Sequence, residues 1–208
     1  MIDYIRDPLE IYKRSFELVR AEADLSGLLA DEAVVAVRLV HACGMPDITG
    51  DLVFSKGAVR AGRKALQGGA VIFADAEMVS HGIIQDNLPA ANEIRCMLNE
   101  DGVRVMAPVK GITRSAAAVD LWGDDLAGAV VAIGNAPTAL FRLLELIDEG
   151  AQRPAVICGF PVGFVGAAES KEALIENAQD IPFITLRGRR GGSALAAACV
   201  NALVKDTT

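Results

Sequence analysis

Apolar residues at the start of the chain recur at three- and four-residue steps. Leu9, Tyr12, Phe16, Val19 and Ala23 fall on one face of a helix. Its start is marked by Asp7 as N-cap, Pro8 at the first helical position and Glu10 completing a capping box. A second helix is predicted over about residues 31–43, with Val34, Val37 and Val40 on its apolar face. His41 lies in its last turn, and Gly44 and Pro46 stop it. A third helix, over about 55–67, ends at Gly68 and Gly69. The pattern then shifts to short continuous apolar runs. Residues 70–74 read as a buried strand and 93–98 as a further strand, and 113–121 reads as a helix capped by Thr113.

From residue 128 the pattern is more regular. Three apolar strands are predicted at 128–133, 154–159 and 182–186, their starts 26 and 28 residues apart. Helical patterns fill 137–149, about 170–179 and about 193–204. Continuous apolar strands alternating with helices imply a largely parallel β-sheet flanked by helices on both faces. No linker divides the chain and no sequence repeat is visible. The expectation is a single α/β domain over 1–208 with an N-terminal helical portion.

An open parallel sheet binds its ligands at the carboxyl ends of its strands. Three glycine-containing loops follow the three late strands: G-N-A-P-T from 134, G-F-P-V-G-F-V-G-A-A-E-S-K from 159, and R-G-R-R-G-G-S from 187. Glycine lets backbone N–H groups approach a ligand closely, and it also serves ordinary turns. Charge adds weight to the last loop. The 208 residues hold 27 acidic and 20 Lys or Arg side chains, a net charge of −7, which argues against broad binding to nucleic acid or acidic membranes. Against that background Arg187, Arg189 and Arg190 point to an anionic substrate, a solvated basic turn being the other reading.

The composition, 52% hydrophobic and 23% charged, supports a large core and excludes a disordered chain. The apolar surplus also points to a buried subunit interface. The cysteines, Cys43, Cys96, Cys158 and Cys199, lack metal-ligand spacing and read as buried thiols. With only two histidines, a site of several His ligands is excluded. No signal segment or membrane-length apolar run is visible, so the cytoplasm is the expected location. G-x-G-x-x-G in proper form, G-x-x-x-x-G-K-[ST] and G-x-S-x-G are all missing, which weakens nicotinamide, P-loop and serine-hydrolase readings. His41, at a helix end that favours the imidazolium form, suits a general acid or a simple helix cap. His81, followed by Gly82, reads as a structural helix end.

Several strings together resemble one family: Y-K-R-S-F from 12, V-H-A-C-G from 40, D-A-E-M-V-S-H-G from 75, T-R-S-A-A-A from 113, I-G-N-A-P-T-A-L from 133, P-V-G-F-V-G-A-A-E-S-K from 161 and R-G-R-R-G-G-S-A from 187. The chain resembles the precorrin-8X methylmutases of cobalamin biosynthesis over nearly its whole length. The resemblance implies a cofactor-free, metal-free isomerase that moves a methyl group from ring carbon 11 to ring carbon 12 of a tetrapyrrole, giving hydrogenobyrinic acid. It implies His41 as the catalytic residue, Ser15 as a substrate contact, and Arg114 and Ser115 as further contacts. It also implies a homodimer with the site at the subunit interface. Arg187, Arg189, Arg190, Gly192 and Ser193 join the expected substrate-binding set from the loop reading. The alternatives are a non-catalytic tetrapyrrole carrier, a cobalt-precorrin-8 methylmutase, and a sugar-phosphate or nucleotide enzyme holding phosphate at Gly191, Gly192 and Ser193.

Overall fold

The computed structural model describes residue 2 and residues 4–204; residues 1, 3 and 205–208 lie outside the description. Six strands form one sheet: β1 (Leu52–Phe54), β2 (Ile72–Ala74), β3 (Ile94–Arg95), β4 (Val130–Ile133), β5 (Val156–Gly159) and β6 (Phe183–Leu186), in the order β1-β6-β5-β4-β2-β3. Every neighbouring pair is parallel except β1 and β6. The helices are α1 (Pro8–Glu22), α2 (Ala30–Cys43), α3 (Ala58–Gln67), α4 (Glu77–Gly82), α5 (Asp101–Lys110), α6 (Arg114–Val119), α7 (Pro137–Asp148), α8 (Ala167–Asn177) and α9 (Ser193–Leu203). Among the described residues no helix is long and apolar enough to cross a membrane.

The pleat divides the core in two. Alternate residues of a strand face opposite sides. Thus Val130 and Ala132 of β4 pack with α2, α3 and α9, while Val131 and Ile133 pack with α7 and α8. Ile157 of β5 and Phe183 of β6 join the second set, and Val156, Cys158 and Ile184 join the first. Phe73 of β2 lies on the second face, stacked on Trp122 at 4.9 Å between ring centroids. A strand buried on both sides has no polar positions left, which is why these strands read as unbroken apolar runs.

Three elements differ from the sequence reading. The strand expected over 93–98 shrinks to Ile94–Arg95 at the sheet edge, where Arg95 is paired with Glu93 and Asp125. Short, charged edge strands resist further pairing. Helix α5 carries Pro108 in its last turn, closed by Gly111 at φ 65°, so the lost N–H falls where the helix is already ending. Strand β1 is three residues long and runs antiparallel to β6, with Leu52 opposite Leu186 and Phe54 opposite Ile184. Because Leu186 ends β6, this register places Asp51 and the preceding turn at the sheet's carboxyl edge.

Helix α1 begins as predicted: Asp7 Oδ1 accepts the Glu10 backbone N–H at 2.8 Å. Yet none of its residues is buried, and Leu9, on the face expected to turn inward, is 79% exposed. Val19 and Ala23 meet the core, whereas the first half of the helix leaves its apolar side uncovered.

Candidate active site

Loops after β4, β5 and β6 all emerge at the carboxyl edge, since these strands are adjacent and parallel. The N-termini of α7, α8 and α9 therefore gather there, and their positive dipole ends favour an anionic ligand. The antiparallel β1 brings the C-terminus of α2 to the same edge through the turn Pro46–Asp51. The Arg187 backbone N–H donates to the Asp51 carbonyl at 2.9 Å, tying this turn to the loop after β6. Helix α2 ends at Gly44, φ 69°, whose N–H donates to the Val40 carbonyl. That leaves His41 exposed in the last turn, next to the loops.

Helix α1 supplies the neighbours of His41. Ser15 Oγ lies 2.9 Å from His41 Nδ1. The Phe16 ring stacks on the imidazole at 4.8 Å between centroids, with 27° between planes. Tyr12 leans on Phe16 at 4.5 Å, and its hydroxyl accepts from Arg38 at 2.7 Å. Ser15 engages Nδ1 and Phe16 covers one ring face, so Nε2 is the ring nitrogen that Ser15 does not engage. The groove beside this pair, lined by Ser15, Leu18, Val19, Val40, His41 and Pro46 among others, holds about 160 Å³. Typical small-molecule sites span roughly 300–1,000 Å³. The groove of a single chain is thus smaller than an ordinary ligand site.

The three loop arginines have different surroundings. Arg190 is ion-paired with Asp47 and, at 2.7 Å, with Asp51, and Arg187 is paired with Glu172. Both were expected at the substrate rim; in the folded chain they hold the loop to α8 and to the turn after α2. Beside Arg190, Asp47 is held below the usual carboxylate range by that guanidinium. Arg189 has no carboxylate partner among the described residues and lies 5.5 Å over the ring of Phe164, which is 86% exposed. Gly192 caps α9, its N–H donating to the Phe160 carbonyl at 2.7 Å, and Ser193 is the first residue of that helix.

Arg114 and Ser115 open α6, which packs with α5 and α7 on the other face of the sheet from α2. Ser115 is buried and Arg114 exposed. The nearest link to the carboxyl edge is the cap Thr113, whose hydroxyl lies 2.7 Å from that of Thr138 in the first turn of α7. The structure does not bring this pair to His41 within one chain. His81, exposed at the end of α4, has its Nδ1 2.8 Å from the Glu77 carbonyl.

Two groups at this edge lie in strings noted above, but their burial was not visible in the sequence. Asp75 follows β2, is 2% exposed, and accepts the backbone N–H groups of Gly134, Asn135 and Ala136 at 2.9, 2.9 and 2.7 Å. Burial pushes its carboxyl above the usual range, and the three donors oppose that shift. It sits between β2 and β4, where the strand order reverses and an open sheet would otherwise offer its crevice. Lys171, inside α8, is the second.

Known proteins resemble this chain over almost its whole length. The precorrin-8X methylmutase family profile matches residues 10–206. A protein of Pseudomonas aeruginosa named precorrin-8X methylmutase is 57% identical over 99% of both chains. A protein of Methanothermobacter thermautotrophicus named cobalt-precorrin-8 methylmutase is 39% identical, covering 94% of this chain and 91% of its own. The crystal structure of precorrin-8X methylmutase from Thermus thermophilus superposes with a TM-score of 0.85 at 40% identity, over 93% of this chain and 95% of that one. With the family profile spanning both α1, which carries Ser15, and the last loop, this chain belongs to the precorrin-8X methylmutases, a family of isomerases.

Proposed function

We propose that this protein moves the methyl group on ring carbon 11 of precorrin-8X to ring carbon 12, giving hydrogenobyrinic acid, with His41 as the general acid. The hydrogen bond between Ser15 and His41 carries this reading: it leaves Nε2 of a stacked, oriented imidazole to face the macrocycle. Protonation of a ring nitrogen draws electron density away from carbon 11. The bond from the methyl group to carbon 11 breaks as the bond to carbon 12 forms, so substrate and product are isomers. The proton is returned to His41, and no net redox change occurs. The protein's task is to orient, protonate and exclude water. Precorrin-8X is favoured over its cobalt complex because the relative named for precorrin-8X is far more similar than the one named for cobalt-precorrin-8.

The substrate is a broad apolar ring edged with carboxylates. Arg189, without a carboxylate partner among the described residues, is the rim cation best placed for one of them; the Gly192 N–H is already given to the Phe160 carbonyl, so Ser193, at the N-terminus of α9, offers the further contact nearby. Arg189→Gln is expected to raise KM about 10–100-fold while kcat changes little, as loss of a charge-assisted contact kept through the reaction predicts. Steady-state kinetics at neutral pH checks this.

A homodimer completes the site in this reading. The groove at His41 is too small for a tetrapyrrole, and the apolar side of α1 is uncovered around it. Sedimentation velocity is expected to show a dimer. Leu9→Asp, which places a charge on that uncovered side, is expected to yield folded monomer with little turnover. A fully active monomer would sink the interface reading. The overall assignment is tested by adding purified protein to precorrin-8X and following the visible spectrum: an isomer of equal mass with a shifted absorption is expected, whereas bound but unchanged substrate would indicate a carrier.

A further inference from the structure

Lys171 has no part in the chemistry above, yet it is sealed in the protein with 0% exposure. Its Nζ donates to the backbone carbonyl of Arg190 at 2.6 Å. Burial pushes its pKa down to about 8, opposed by the more distant charges of Glu172 on its own helix and Asp51 at the end of the turn before β1. The guanidinium of Arg190 is paired with Asp47 and Asp51, and that of Arg187 with Glu172. A buried ammonium without a bonded carboxylate is a poor stabiliser, and an apolar side chain of similar length fills such a space at less cost. The position of the bond suggests another reason for the lysine.

The Arg190 carbonyl lies in the middle of the loop after β6. That loop is pinned to the loop after β5 at two points: Gly192 N–H donates to the Phe160 carbonyl, and Gly163 N–H donates to the Arg189 carbonyl at 3.3 Å. The fit is tight enough that a Cβ on Gly191 would lie 2.3 Å from the Phe160 carbonyl oxygen. On the other side the Arg190 side chain reaches Asp47 and Asp51, in the turn that follows the His41 helix. We propose that Lys171 is a positioning residue for this enzyme: from inside the fold it sets the shape of the 187–192 loop, so that Arg189 stands clear for a substrate carboxylate while Arg190 locks the turn after His41. This rests on the reading of Arg189 as the carboxylate-binding arginine.

The test is Lys171→Met in the full-length protein, with kinetics, thermal melting and amide hydrogen exchange measured together. Expected are a melting temperature at or above wild type, a KM raised about tenfold, kcat within about threefold of wild type, and exchange over residues 187–192 faster by about tenfold. A merely structural lysine would lower the melting temperature and leave KM and loop exchange alone; that result, or failure of the variant to fold, would overturn the proposal. Loop exchange needs no substrate, so it judges Lys171 independently. An unchanged KM in Arg189→Gln would count against the Arg189 reading instead.

Discussion

His41→Ala is expected to lower kcat by about 10²–10⁴-fold, the usual contribution of a positioned general acid. The fold is expected to survive. His41 is exposed, and its removal costs the hydrogen bond to Ser15 and ring contacts with Phe16 and Tyr12. Product affinity, read by titrating the variant with hydrogenobyrinic acid, is expected to stay near wild type, because the ring is held by apolar contact and by the rim rather than by one imidazole. This separation of turnover from binding distinguishes an acid from a binding residue. Ser15→Ala is expected to produce a smaller loss, since it frees the ring to rotate without removing the proton. Turnover by His41→Ala at the wild-type rate would remove His41 from the mechanism, whatever the standing of the family.

The largest effect on stability is expected from Asp75→Ala. The carboxylate accepts three backbone N–H groups in a site closed to water. Alanine leaves all three donors without a partner, at about 1–3 kcal/mol for each group that water cannot reach. Partial relaxation of the loop brings the expected loss to about 3–5 kcal/mol, in the range seen when one partner of a buried charged contact is removed. For a chain of this size that corresponds to a fall in melting temperature of about 10 °C. Asp75→Asn keeps an acceptor oxygen but turns an NH₂ group toward a donor, so an intermediate loss is expected. Thermal melts of the three proteins decide the point, and a shift within about 2 °C for alanine would show that the loop finds other partners. Catalysis is expected to weaken too, because Asp75 shapes the turn that leads into α7.

The place of Asp75 bears on where the site lies. An open parallel sheet offers its crevice at the reversal of strand order, here between β2 and β4. In this chain a carboxylate from its own backbone run fills that point. The exposed chemistry lies instead toward β6 and β1, where α2 ends. The loops after the late strands were readable from glycine and strand spacing, but the reversal point was not, since it depends on the pairing of β2 with β4 across 55 intervening residues.

Strong periodic segments were legible. Helices α1, α2, α7 and α9, and strands β4, β5 and β6, follow from apolar spacing, caps and glycine stops to within a few residues. Local chemistry settles such elements. Strand β1 was not legible, because three residues carry no periodicity and its partner residues lie 130–134 positions away. Helix α5 was hidden by Gly102 and Pro108, two residues that usually interrupt helices. The arginines of the last loop were visible as a charge cluster, but their division was not. Nothing in R-G-R-R-G-G-S says that Arg187 meets Glu172, that Arg190 meets Asp47 and Asp51, and that Arg189 meets no carboxylate among the described residues. Lys171 stood at the end of the string read as the loop after β5, and nothing in that string says that the lysine is buried.

The sequence by itself determined the layered α/β plan, the family strings and the chemical types on hand: two histidines at helix ends, arginines at strand ends and a surplus of apolar residues. These follow from neighbours along the chain, where periodicity, capping and composition act. Tertiary structure alone decided the relations among them. The antiparallel return of β1 brings His41 to the loop edge, α1 sets Ser15 and Phe16 against its ring, and burial makes a clamp of Asp75 and an anchor of Lys171. The physical reason is range. Hydrogen bonds and ion pairs act over a few ångströms in space, and residues far apart in the chain come within that distance only once the sheet has closed.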